Sequence, residues 1–522
     1  MTLDLWCRTL VTCTNAWLAK SGPAFVLIRL LICLAAFTPS LAQPFLPPEE
    51  ELGDKRAGDI VLKPGSLNGH PADWGWLFVP ENRSKLGSPT IRLIVIRQRA
   101  TEPATDPPTF HLVGGPGNSN VWGIDIEPEF FTRNELVRVG YRGIDTPKGL
   151  SCPEFRKAIQ TERPLSIENI AAAKVALRSC YDRLSSEGID LDAYNVIEVA
   201  DDIESARKAL GYEKINLLAF SFGTQIAYLY ALRHPDRVHR MVLVGAGSRE
   251  HTITRLWDTG ALDAMLNRYA HHWNADPEAA SKTKDLLGTM RRVLASPPRN
   301  WEHIRIDPDK VRLSAFYMLR ESRDAALVFD AFAAADQGDY AGLAVLSWGY
   351  DEELRNMPHE HYGEFFCKSL TAGFDPMLDY VGFANRPQSV LGSPAAALLW
   401  APASNGGFPV NSISAEFQVT RPIDTSALVV MGELDFAAPL EFVQSELMPK
   451  LKNGRLVILE NMGHMDVARL QHKAFEHLAL RYLRDGEVDA SRYSHYSIDF
   501  TPKETLSGMA GSLIPKIATE SP

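Results

Sequence analysis

Cysteine is scarce and unevenly placed. Of six in 522 residues, Cys7, Cys13 and Cys33 lie near the N-terminus, leaving Cys152, Cys180 and Cys367 for the rest of the chain. None has the paired spacing of a zinc site. Basic excess is also missing: 54 Lys and Arg face 64 Asp and Glu, a formal charge of −10. A nucleic-acid partner wants a basic face, so nucleic acid is excluded as a ligand. There is no internal repeat, no GxGxxG and no Gly-Lys-Ser or Gly-Lys-Thr phosphate loop. With 45 % apolar and 23 % charged residues, the chain is neither disordered, collagen-like nor a polytopic membrane protein. Its length allows two domains or one large decorated one.

Long apolar runs are few as well. The stretch Ala24 to Phe37 is about 14 residues long and is interrupted only by Arg29. A spanning helix needs about 20. Arg8 and Lys20 precede the run, and Ser40 and Ala42 occupy the −3 and −1 positions of a cleavage site before Gln43. This is the anatomy of a secretory signal peptide over residues 1–42, although its leading segment is long. An uncleaved anchor is the competing reading. Ile32 before Cys33 argues against lipid attachment, which needs a small neighbour. The expected location is therefore secreted or periplasmic. In such an oxidising compartment Cys152 and Cys180, 28 residues apart, can close a disulfide. Three buried thiols are the alternative.

Beyond the leader, strand and helix patterns alternate. Trp76–Val79 and Ile91–Ile96 read as an antiparallel pair, and Phe110–Val113 as a strand running into a glycine-rich turn. Ile167–Leu184 has helical spacing with Ser166 as N-cap, and Ala200–Leu210 reads as a second helix stopped by Gly211. Ile215–Ala219 and Met241–Val244 are strands flanking a helix over Phe222–Arg233. Residues 246–420 carry helical segments and no clear strand. Alternation resumes at Ala427–Met431 and Leu456–Leu459, followed by a helix over Val467–Leu483. The expected architecture is an α/β fold: a mostly parallel sheet over 59–245 and 421–485, interrupted by a helical cap over 246–420. Residues 486–522 are polar and weakly patterned, and read as a loosely packed tail.

Chemistry enters at Leu217-Leu-Ala-Phe-Ser-Phe-Gly-Thr224. A serine between strand and helix, with small residues at −2 and +2, is a nucleophile elbow. Ala219 replaces the usual glycine at −2 and is small enough for the turn. Ser221 needs a base and an orienting carboxylate, because a free hydroxyl is unreactive at neutral pH. The strand ending at Met431 delivers Gly432-Glu-Leu-Asp435, and the next delivers Gly463-His464. The order Ser221, Asp435, His464 is that required, with Glu433 the rival to Asp435. An oxyanion needs two backbone N–H donors, expected from Phe222 and from Gly115 in Gly114-Gly-Pro-Gly117.

Together these segments resemble the proline iminopeptidase and tripeptidyl aminopeptidase group of α/β-hydrolases, as do Gly140-Tyr-Arg-Gly143 and Tyr194 through Tyr212. The resemblance covers roughly residues 59–485 and is weaker over 246–420. It implies the α/β-hydrolase fold with a mainly helical cap insertion. The implied activity is that of a serine exopeptidase releasing N-terminal residues from peptides, with no metal or organic cofactor. One departure bears on substrate. Relatives read the substrate amine with acidic residues after a cap cysteine, whereas Cys367 is followed by Lys368-Ser369-Leu370. Glu360, Glu364 or Asp351-Glu352-Glu353 are the candidate replacements. His359-Glu-His361 lacks metal-ligand spacing. Aromatic residues Trp348, Tyr350, Tyr362, Phe365 and Phe366 line a pocket or fill the cap core. The substrate is expected to be a peptide or a small acyl compound. The alternative to an aminopeptidase is a carboxylic-ester hydrolase on the same triad, and a third reading is a non-catalytic binder.

Overall fold

The computed structural model describes residues 46–121, 126, 128–250, 257–356 and 361–518. The expected signal peptide lies outside them. Among the described residues nine strands form one sheet in the order β1-β2-β3-β5-β4-β6-β7-β10-β11. They are β1 (Ile60–Leu67), β2 (His70–Pro80), β3 (Thr90–Gln98), β4 (Thr109–Leu112), β5 (Leu136–Val139), β6 (Ile215–Phe220), β7 (Val238–Val244), β10 (Ala427–Gly432) and β11 (Gly454–Leu459). Strands β1, β2, β3 and β5 pair antiparallel, and every pairing from β5 to β11 is parallel. Strand order reverses around β4 and β6. That is the kind of point at which parallel sheets place a site at the carboxyl ends of their strands.

Period-two alternation gives each central strand two buried faces. Leu217, Ala219, Leu243, Val429 and Met431 face one core with the helices Val196–Ala209 and Gly223–Arg233. Leu218, Phe220, Val242, Val244 and Val430 face the other, against the helix His472–Asp485. At about 25 cal/mol per Å² of apolar surface, burial on both faces holds the central strands in place.

Several elements differ from the sequence reading. Strand β1 was not anticipated, because Pro64 and Gly65 interrupt its apolar pattern; both are tolerated on an edge strand. β5 is only four residues long and carries buried Arg138, which pairs with Gln98. The second helix begins earlier, at Val196, where Asn195 Oδ1 accepts the N–H groups of Ile197 and Glu198. The helix after His464 is split into Asp466–Arg469 and His472–Asp485. Ser166 caps Ile167–Ser186 through Asn169 N–H.

The described residues of 246–420 are dominated by helices, with one small hairpin of β8 (Asn300–Trp301) and β9 (Ile304–Arg305) that the sequence did not suggest. The segment expected to be a loose tail instead docks on this region. Phe500, Leu506, Met509 and Ala510 are buried in the same cluster as Trp273 and Phe329. Its apolar residues are too sparse to show periodicity, yet each meets a cap partner. Cys152 and Cys180 form a disulfide with Cα atoms 5.5 Å apart, joining the helices Pro153–Ile159 and Ile167–Ser186. Cys367 is free and buried, and burial raises its thiol well above the ordinary range. It is therefore an inert core group. Among the described residues no helix is long and apolar enough to cross a membrane.

Candidate active site

Ser221 sits between β6 and the helix Gly223–Arg233, with φ 50°. The left-handed conformation is uncommon for a residue with a side chain, and here neighbouring bonds impose it. Ser221 N–H donates to Val244 O at 2.8 Å, while its carbonyl accepts Thr224 N–H at 2.9 Å and Thr224 Oγ1 at 2.6 Å. The turn leaves no room beside it. A Cβ on Gly223 would lie 2.4 Å from Leu112 O, and one on Gly114 would lie 2.6 Å from Ser221 Cβ.

His464 Nε2 lies 2.8 Å from Ser221 Oγ, and its Nδ1 lies 2.8 and 3.0 Å from the two Asp435 carboxylate oxygens. Asp435 is wholly buried, and its Oδ1 also accepts Ala437 and Ala438 N–H at 2.9 and 2.7 Å. Those bonds fix the carboxylate in the turn after β10. With Asp435 accepting from Nδ1–H, Nε2 is left as the acceptor facing the serine. Glu433, the rival carboxylate, instead accepts Asn461 N–H at 3.2 Å.

The loop carrying His464 is tied to the cap by groups that sequence reasoning did not identify. His464 N–H donates to Arg320 O at 2.7 Å, and Met465 N–H to Glu321 Oε2 at 3.0 Å. Buried Asp466 Oδ2 accepts Ser322 N–H, Ser322 Oγ–H and Gly463 N–H, at 2.6 to 3.0 Å. Burial raises the Glu321 carboxyl, with nearby Asp466 adding to the shift, and pushes Asp324 up to about 7.

Opposite Ser221 runs the loop after β4. Asn120 Oδ1 accepts Val113 N–H at 2.8 Å, and its amide donates to His111 O and Val139 O. Buried Asp145 accepts Asn120 N–H and Tyr141 N–H at 2.9 and 2.8 Å. Tyr141 O–H donates to Val113 O at 3.0 Å. Gly115 and Phe222 both line the cavity beside Ser221. Among the described residues, neither backbone N–H donates to another group. Two free donors flanking a serine hydroxyl are what a developing oxyanion requires.

Glu360 lies outside the described residues. Glu364 is described, and its position corrects the expectation that it reads the substrate amine. It is wholly buried in the helix Tyr362–Thr371, where it accepts Gly117 N–H at 2.8 Å and pairs with Lys368. Burial raises the Glu364 carboxyl and lowers the Lys368 ammonium, and Lys368 Nζ stands 3.7 Å from the Tyr141 ring centroid. The pair braces the loop carrying Gly115 and does not face the cavity. Phe365, on the same helix, does line the cavity, and it stacks on Trp400 with centroids 5.5 Å apart. Phe366 and Tyr350 are buried in a cluster shared with the helix Pro153–Ile159, Phe366 against the Phe155 ring at 5.2 Å and Tyr350 donating to Ile159 O at 2.9 Å. Among the described residues there is no group of His, Cys, Asp and Glu suited to a metal ion.

Comparison with known proteins gives matches in both halves of the chain. Residues 182–305 match the family described as the α/β hydrolase fold, and residues 395–494 match the family described as TAP-like protein. The serine protease Hip1 of Mycobacterium tuberculosis is 27 % identical over 248 residues, which is 44 % of this chain and 45 % of that protein. A tripeptidyl aminopeptidase of Streptomyces coelicolor is 26 % identical over 193 residues, 33 % of this chain and 35 % of that protein. The chain thus matches less than half the length of these curated relatives. A solved structure of proline iminopeptidase from Mycobacterium smegmatis overlaps 81 % of this chain and 97 % of its own, at 14 % identity and TM-score 0.38.

Proposed function

Taking the chain as an α/β-hydrolase, we propose that it is an exported serine hydrolase that works through an acyl-enzyme, with Ser221, His464 and Asp435 as its triad. The observation that carries this reading is the unbroken hydrogen-bonded line from Asp435 through His464 to Ser221, at 2.8 Å on each side of the imidazole. His464 Nε2 takes the proton as Ser221 Oγ attacks a carbonyl carbon. Asp435 holds the imidazolium that forms, and the N–H groups of Phe222 and Gly115 meet the oxyanion. His464 then hands the proton to the leaving amine or alcohol. A water deprotonated by the same imidazole releases the acid and restores Ser221. Export is supported by the leader in the sequence and by the Cys152–Cys180 disulfide, which suits an oxidising compartment.

For substrate, we propose a peptide, with the protein acting as an aminopeptidase. Support comes from the match to the TAP-like family and from the peptidase names of the partial relatives. A second reading, a carboxylic-ester hydrolase on the same triad, is favoured by one observation. Among the described residues no carboxylate lines the cavity, so none stands ready to pair with a substrate ammonium. A chromogenic alanyl or prolyl amide, with the amine free or acetylated, separates the two when run beside a short-chain aryl ester with Ser221→Ala as blank. Cleavage confined to the free-amine amide supports the aminopeptidase. Cleavage of the ester alone supports the second reading, and no Ser221-dependent cleavage of any of them contradicts both.

A further inference from the structure

The cavity beside Ser221 has a volume of about 100 Å³, and among the described residues the one Lys, Arg, Asp or Glu in its lining is Arg320. Arg320 follows the helix Pro308–Met318 and belongs to the segment that holds the His464 loop. Its Nε donates to Tyr317 O at 3.3 Å, and its guanidinium lies 5.2 Å from the Tyr317 ring centroid. Among the described residues no carboxylate comes within ion-pair distance of its terminal nitrogens. Glu353 and Glu321 feel its charge, but Glu321 is engaged with Met465 N–H, and burial raises the carboxyls of both. A partly exposed guanidinium whose fork lacks an anion is an open site for a carboxylate, which it can grip through two parallel N–H bonds.

A second observation points the same way. Ser369 Oγ and Trp400 Nε1 belong to buried residues of the cavity wall, each about 1 % exposed, and neither has a hydrogen-bond partner. An indole N–H can only donate. Gln225, the other polar side chain of the wall apart from the proposed catalytic pair, is already engaged: its amide donates to Gly247 O and its oxygen accepts from Arg249. Buried polar groups left unpaired destabilise the empty site, and an acceptor brought within their reach relieves that. The wall therefore sets a cation among aromatic residues, and two of its members, Ser369 and Trp400, hold unpaired polar atoms.

We infer that Arg320, with Ser369 and Trp400, makes this a pocket for substrates that carry a carboxylate close to the scissile carbonyl. The inference rests on Ser221 as nucleophile and narrows the substrate class. A free ammonium placed beside the Arg320 guanidinium is repelled by it, so a peptide amine has to lie elsewhere in the site. The carboxylate belongs either to the acyl part or to a short leaving part, such as the C-terminus of a dipeptide.

Two pairs of substrates distinguish these sources. The 4-nitrophenyl half-ester of succinic acid is compared with 4-nitrophenyl butyrate, and alanyl-alanine with its C-terminal amide. Wild-type kcat/KM should favour the anionic member of at least one pair about tenfold or more, equivalent to about 1.4 kcal/mol. Arg320→Gln should bring that ratio near one, Arg320→Glu should invert it, and Ser369→Ala should lower it without touching Arg320. Ratios at or below one for both pairs in the wild type, or a ratio unmoved by Arg320→Gln in a folded variant, overturn the inference. Calorimetric titration of the wild type and Arg320→Gln with succinate reads the pocket independently of chemistry. If Ser221 proves unreactive toward a fluorophosphonate, the hydrolase reading fails while succinate binding still decides on the pocket. Binding by the wild type that is lost in Arg320→Gln supports it, and absence of binding to the wild type refutes it.

Discussion

Removing the Glu364 carboxylate should reach both the stability of the cap and the geometry of the oxyanion donors. Glu364→Ala leaves the Lys368 ammonium wholly buried against Tyr141 with its ion-pair partner gone, and leaves Gly117 N–H without its acceptor. Breaking a buried pair on one side costs about 3–5 kcal/mol, because the surviving charge stays desolvated. The orphaned N–H adds about 1–3 kcal/mol if no water replaces the carboxylate. The double variant Glu364→Leu/Lys368→Met removes both charges and should recover most of the ion-pair loss, though not the Gly117 bond. Urea unfolding of the three proteins measures the stability terms. Turnover of a simple ester measures the second effect: kcat should fall in both variants with KM little changed, because the disturbed loop carries Gly115 and does not bind the ground state. A Glu364→Ala protein within about 1 kcal/mol of wild type would refute the reasoning, since the buried charge would then have found another partner.

Three further outcomes follow from the same geometry. Replacing Cys152 and Cys180 by serine should destabilise the fold by about 3.5 kcal/mol, from the loop entropy of a 28-residue closure, and reducing agent should do the same to the wild type but not to the variant. Asp324 is pushed up to about 7 from an ordinary value near 3.8. The unfolded chain therefore loses this proton first as pH rises, and stability should decline between about pH 4 and 7. Asp324→Asn should flatten that decline when unfolding is followed across the window, and an unchanged slope would contradict the assignment. Phe500→Ala, which removes a ring packed 5.6 Å from Trp273, should cost about 3–5 kcal/mol in thermal or urea unfolding. A loss below 0.5 kcal/mol would mean the C-terminal segment is not part of the cap core.

What could be read from the sequence, and what could not, divides along local and non-local physics. Ile215–Phe220 and Ala427–Gly432 are apolar runs buried on both faces, so composition alone marks them as strands. The elbow at Ser221 announces itself because sterics demand small neighbours within two residues. β1 and β5 were missed because their signals are weak in isolation: one is broken by Pro64 and Gly65, the other is four residues containing an arginine. The site divides in the same way. Ser221, Asp435 and His464 stand at strand ends in recognisable turns. Glu364, Arg320 and Ser322 act on loops far from them in sequence, through contacts that only tertiary packing creates. An acidic residue near a cap cysteine can equally face a ligand or brace a loop. Whether its carboxylate meets Gly117 N–H or an open cavity is decided by helix orientation, which no local pattern encodes. The C-terminal segment was misjudged for a related reason, since a few apolar residues suffice when a preformed cap surface receives them.

The central claim is that Ser221 is an activated nucleophile. It is tested most directly by incubating purified protein with a fluorophosphonate and locating the adduct by peptide mass spectrometry. One phosphonyl group per chain is expected, on Ser221, absent in Ser221→Ala. Labelling should slow by about three orders of magnitude or more in His464→Ala, where the base 2.8 Å from the hydroxyl is gone. An unlabelled wild-type protein, a label on another residue, or a His464→Ala variant labelled at the wild-type rate would contradict it.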